Sequence, residues 1–194
     1  SPNILLADGL IPTLVGAAYA TIITNPLVAF NFAMMTGIVS SMMAASHLAR
    51  RFSDRRIVQL LSGIAFGTAP SIALRIHQHY NLVFAAAGPL IVSRLVQICR
   101  GEKQISVFRD GGLFVFAYLC SGYYGLFWVL SYSLALLVRF GLLKAIRMLA
   151  PVGFAGALVL APLVVPTLIH QQKERDAGAE AISESAERFS AGTY

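Results

Sequence analysis

Charge is what this chain of 194 residues has least of: Asp, Glu, Lys and Arg make up 12% of it, where an ordinary soluble domain carries about a quarter. An apolar content of 57% excludes a disordered chain, which would be poor in apolar residues and rich in net charge. Cysteine is almost missing as well. Two residues, Cys99 and Cys120, are too few for a disulfide scaffold and lack metal-ligand spacing. The 16 glycines follow no every-third-residue repeat, which excludes collagen. No Walker loop, dinucleotide-binding glycine fingerprint, HExxH helix or nucleophile elbow occurs.

What the chain does have is hydrophobic length. Five stretches carry no Asp, Glu, Lys or Arg: Gly9 to Ala49, Ile57 to Leu74, Ile76 to Ser93, Gly111 to Val138 and Met148 to Gln172. Each approaches or exceeds the roughly 20 helical residues that cross ~30 Å of hydrocarbon. The sequence therefore predicts an all-α, polytopic transmembrane helix bundle of about six to seven membrane segments over residues 1–170. A polar extracytoplasmic tail, or the start of a following domain, is expected over residues 171–194. The chain starts at Ser1 without Met and shows neither a basic leader nor a small-residue cleavage site, so it reads as an internal piece of a longer protein.

Proline and arginine set the boundaries. Asn25-Pro26 breaks the first run, with Asn25 as the expected N-cap of a helix from about Leu27 to Ala49, because proline suits a first helical turn. The preceding Leu5 to Thr24, with Asp8 and Pro12, reads either as a span or as a segment lying in the interface. Arg50, Arg51, Arg55 and Arg56 fall within seven residues and mark a cytoplasmic loop by the positive-inside rule. A helix from Ile57 to about Ala69 then ends at Pro70-Ser71 on the far side, and the chain returns from about Asn81 to Ile98.

Arg94, Arg100 and Lys103 mark a second cytoplasmic turn, and Arg139, Lys144 and Arg147 a third. Residues 105–138 must then cross out and back, with Ser121-Gly122 as the turn. The last span is expected from about Met148 to Leu168. In this scheme 11 of the 15 basic residues lie on the cytoplasmic side. The net charge of +6 is thus a topological signal, and the contiguous basic face that nucleic-acid binding needs is absent. Cys99 and Cys120 fall on opposite sides and cannot pair.

The densest chemistry lies in the outward turn from Pro70 to Leu82, where Arg75, His77, Gln78, His79 and Tyr80 follow one another closely. Arginine offers a forked donor for phosphate, and histidine donates or transfers a proton. Tyr123 and Tyr124, at the next outward turn, are brought to the same surface. The bland alternatives are a solvated polar turn for the first group and an interfacial aromatic belt for the second. His77 and His79 alone make a poor metal site, since zinc takes three or four protein ligands; no metal ligands are assigned, and a divalent cation is left open. Asp8 is a lone carboxylate that a helix start explains as well as catalysis does.

Several short motifs occur in an order that resembles the polytopic GT-C-type membrane glycosyltransferases, especially bacterial relatives of the protein mannosyltransferases. They are Asn25-Pro26-Leu27-Val28-Ala29-Phe30-Asn31, Ala49-Arg50-Arg51-Phe52, Ala65-Phe66-Gly67-Thr68-Ala69-Pro70, His77-Gln78-His79-Tyr80-Asn81-Leu82, Gly88-Pro89-Leu90, Gly122-Tyr123-Tyr124 and Glu187-Arg188-Phe189-Ser190-Ala191. The resemblance implies transfer of a sugar from a polyprenyl-phosphate carrier to an acceptor outside a bacterial cytoplasmic membrane. It implies an acidic base in a large outer loop, which would precede Ser1, so no catalytic residue is assigned here. By the same resemblance Arg75, His77 and His79 would hold the carrier phosphate or the sugar, with Tyr123 and Tyr124 lining the mouth. A transporter or flippase component and a non-catalytic membrane assembly subunit are the alternatives.

Overall fold

The structure of the chain, a computed structural model, describes residues 9–73 and 80–191. Among them it is all-helical, without a strand. The helices are α1 (Leu10–Ala20), α2 (Pro26–Ala49), α3 (Arg56–Gly67), the single turn α4 (Pro70–Ala73), a 3-10 turn (Tyr80–Val83), α5 (Ala87–Cys99), α6 (Val107–Cys120), α7 (Gly122–Phe140) and α8 (Leu142–Ala191).

Three of these are long and apolar enough to cross a membrane: α2, α7 and the Leu142–Pro166 part of α8. Their surfaces fit that solvent. Only 17% of the α7 window and 6% of the α8 window is buried within the chain, so their leucines, valines and phenylalanines face outward and need apolar surroundings. The six to seven crossing segments expected from hydropathy are thus not all full-length helices. At 1.5 Å per residue, α3, α5 and α6 reach only about 18 to 21 Å, short of ~30 Å. At 11 residues α1 is shorter still, and it ends at Ala20, before Thr24.

Local sequence explains the helix ends. Asn25 Oδ1 accepts from the backbone N–H of Leu27 (3.0 Å) and Val28 (3.4 Å), satisfying two of the donors that every helix start leaves free, and Pro26 needs no such partner. Ser121 is extended between α6 and α7 and makes the expected outward turn. α8 runs uninterrupted through Pro151, Pro162 and Pro166 to Ala191. It is therefore continuous across residue 170, where the sequence reading places the change from membrane to tail.

α2 and α6 are the central elements. α2 packs against α1, α3 and α5, while α6 packs against α1, α5, α7 and α8. The α2–α3 contact is made by glycine at helical spacing: a Cβ at Gly63 would lie 2.6 Å from the carbonyl oxygen of Met42, and Gly67 rests on the Met42 side chain. Such small residues let helix backbones approach where lipid supplies no hydrophobic push between them.

One end of the bundle gathers the arginine-rich bends. Arg100 Nη1 donates to the carbonyl of Arg51 (3.1 Å), Arg51 Nε to Ser93 Oγ (3.2 Å) and Arg139 Nε to the carbonyl of Cys99 (3.4 Å). The three basic turns inferred from the positive-inside rule therefore share one face, and α6 and α7 run out from it and back.

Candidate functional site

At the other end, the chain between α3 and α5 does not emerge as a simple loop. Leu82 through Pro89 are all buried, and Ile72 before them is 4% exposed. Ile72, Val83, Phe84 and Ala85 pack with Ala33 and Met34 of α2 and with Cys120 of α6. Non-helical backbone at this depth needs internal partners, since lipid offers none. Ser41 supplies them: its hydroxyl lies 3.1 Å from the carbonyl of Val83 and 3.0 Å from the N–H of Ala85, while also reaching the carbonyl of Gly37 (2.8 Å). A serine hydroxyl has one proton and two lone pairs, so the amide of Ala85 is the firm contact and the two carbonyls share the proton. Gly37 leaves room for the Phe84 ring, which a Cβ there would meet at 3.0 Å.

Arg75, His77 and His79 lie outside the described residues. Their flanks on both sides belong to this buried elbow. Tyr124 is turned toward it, and its hydroxyl donates to the carbonyl of Leu82. Tyr123, one position earlier on α7, is 72% exposed and points away. Adjacent positions on a helix differ by about 100° in direction, so the two phenols do not share one lining. Asp8 also lies outside the described residues.

Beside Tyr124 an apolar cleft of about 330 Å³ opens between α6, α7 and α8, lined among others by Tyr118, Gly125, Leu126, Val129, Gly153 and Gly156. Its size falls at the lower end of small-ligand pockets, roughly 300 to 1,000 Å³. Glycine on α7 and α8 creates the space, and Gly125 approaches the Tyr118 backbone so closely that a Cβ would come within 2.9 Å of its Cα.

A second polar group was missed in the sequence. Asp110, 1% exposed, pairs with Arg94 through Nε–Oδ1 (3.0 Å) and Nη2–Oδ2 (3.3 Å). The Tyr132 hydroxyl donates to Asp110 Oδ1 (3.1 Å), the N–H of Ser106 donates to Oδ2 (2.6 Å), and Arg94 Nη2 also reaches the carbonyl of Gln104. The carboxylate has four donors and the guanidinium three acceptor atoms, which is what allows a buried pair to persist despite desolvation. Sixteen and twenty-two residues separate Asp110 from Arg94 and Tyr132, so no local pattern reveals the group. The available signal was Arg94 itself, a charge inside an apolar helix that requires a partner.

Among the described residues no group of three His, Cys, Asp or Glu side chains could hold a metal ion. Both cysteines are free: Cys120 is buried beneath the elbow, while Cys99 ends α5 at the arginine-rich face. No protein-family model matches the chain, and neither does a curated protein or a solved structure.

Proposed function

We propose that the chain is the membrane core of a glycosyltransferase that moves a sugar from a polyprenyl-phosphate carrier to an extracytoplasmic acceptor, in a bacterial cytoplasmic membrane. The observation that carries this reading is the buried elbow: the described residues on either side of the Arg75–His79 cluster, Ile72 before it and Leu82 after it, are buried. The cleft between α6, α7 and α8 supports it, its apolar lining being of suitable character for part of a prenyl chain.

In this reading the acceptor oxygen attacks the anomeric carbon as the bond to the carrier phosphate breaks, and the phosphate leaves with the electron pair. Arg75 would stabilise the charge growing on that phosphate, and His77 and His79 would hold its oxygens or the sugar. Tyr124 would act indirectly, by holding Leu82. No residue is assigned as the base that removes the acceptor proton.

A transporter component is the second reading. It draws on one feature, the meeting of two half-length helices at non-helical backbone, an arrangement that transporters use for binding sites. It gains less from the charges, because Arg94 and Asp110 lie within a few residues of their helix ends and are fully engaged with each other.

Arg75→Ala in the full-length protein tests the choice. Transfer from a polyprenyl-phosphate sugar in proteoliposomes should fall by at least tenfold while membrane insertion is unchanged. Unaltered transfer removes Arg75 from the site, and a loss of solute uptake without any transferase activity in the parent protein would favour the second reading.

A further inference from the structure

The arginine-rich end holds a pocket distinct from the elbow and its cleft. It measures about 480 Å³ and lies between the α5–α6 loop, the end of α7 and the first turns of α8. Lys103, Lys144 and Arg147 contribute three cationic side chains, and Ile98, Phe140 and Met148 give it an apolar floor. No carboxylate lines it. The nearest ones in sequence are engaged elsewhere, Glu102 with Arg100 (3.7 Å) and Asp110 with Arg94. Lys144 Nζ stands 5.0 Å from the Phe140 ring centroid, a cation–π contact that steadies the ammonium without neutralising it.

The loop on one side of the pocket is fastened from within. Arg94 donates to the carbonyl of Gln104, and Asp110 accepts from the N–H of Ser106, so the backbone that follows Lys103 is held at residues 104 and 106 by a buried ion pair. On the other side, Lys144 and Arg147 belong to the first two turns of a helix apolar enough to cross the membrane, where long basic side chains reach toward the headgroup layer. Three unneutralised cations over an apolar floor, at the end of two membrane-type helices, match an anionic headgroup with its first acyl carbons.

We propose that this pocket binds the phosphate-bearing headgroup of an anionic phospholipid. Basic pockets between helices on the cytoplasmic side recognise such headgroups, each nearby Lys or Arg strengthening attraction about fivefold. The inference does not depend on the transferase reading, because it concerns the opposite end of α7 and involves none of the elbow residues.

Native mass spectrometry of the purified full-length protein in neutral detergent tests it, with phosphatidylglycerol, phosphatidylcholine and inorganic phosphate offered separately. Phosphatidylglycerol should bind at least tenfold more tightly than phosphatidylcholine. Replacing Lys103, Lys144 and Arg147 together by Gln should weaken phosphatidylglycerol on the order of 100-fold. Replacing Arg50, Arg55 and Arg56 by Gln removes the same number of exposed cations from the same face and should weaken it by less than threefold. Equal losses in the two triple variants would mean diffuse surface attraction and overturn the pocket. Binding of inorganic phosphate as tight as that of the lipid would overturn the lipid as its source. A circular dichroism spectrum matching the parent protein confirms that each variant is folded.

Discussion

The elbow near Ser41 and the ion pair at Asp110 meet the same difficulty, polar atoms buried among apolar helices, and meet it by opposite means. Among the described residues of the elbow the buried polar groups are neutral, and one hydroxyl serves backbone atoms of the turn. At the arginine-rich end two full charges are buried and saturated by each other, by Tyr132 and by two backbone groups. Neutral partners tolerate removal at the cost of ordinary hydrogen bonds, whereas a charge deprived of its partner remains charged. The contrast predicts a brittle lower end and a more forgiving upper one.

The largest expected effect is Asp110→Ala, which strands Arg94 and should cost about 3–5 kcal/mol in unfolding measured in detergent. The double change Arg94→Met with Asp110→Leu should recover most of that loss, since an apolar pair avoids the desolvation of both charges. If the single change cost no more than Ser41→Ala, the contrast between the two ends would break. Ser41→Ala itself should cost about 1–2 kcal/mol, as the Val83 carbonyl and the Ala85 N–H lose the hydroxyl and keep only their bond to each other (2.9 Å). Gly63→Ala probes the same half by crowding rather than by polarity. Its Cβ would press on the Met42 carbonyl, and about 1–2 kcal/mol is expected from the overpacking. Smallest is Tyr124→Phe, about 1 kcal/mol by the same unfolding measurement, for a single hydroxyl bond to Leu82.

The charge pattern was the most readable part of the sequence. Four arginines in seven residues and two later basic turns imply a common face, and the bonds from Arg100 to the Arg51 carbonyl and from Arg139 to the Cys99 carbonyl are what that face looks like in detail. Asn25-Pro26 and Ser121-Gly122 were equally legible, because capping and turn chemistry is local and needs no tertiary partner.

Hydropathy over residues 57–93 was less informative. An apolar run reads alike whether it crosses lipid or folds back inside a bundle, and only the contact with Ser41 distinguishes the two. Nothing marks Ser41 in sequence among the other serines of α2. The Arg94–Asp110–Tyr132 group was hidden for another reason. The three members lie on three different helices, and the grouping depends on how α5, α6 and α7 pack. For the candidate site, the adjacency of Tyr123 and Tyr124 suggested a joint role, but helical geometry turns one inward and the other out.

α7 is fastened to the returning chain at two heights. Tyr124 grips Leu82 just before α5 begins, and Arg139 grips Cys99 where α5 ends. Together α5 and α7 make a braced frame whose two uprights cannot slide past each other without breaking a rung. A pull on the elbow would therefore load the Tyr124 rung first and the Arg139 rung after it, at the end of α5 that leads into the loop carrying Lys103.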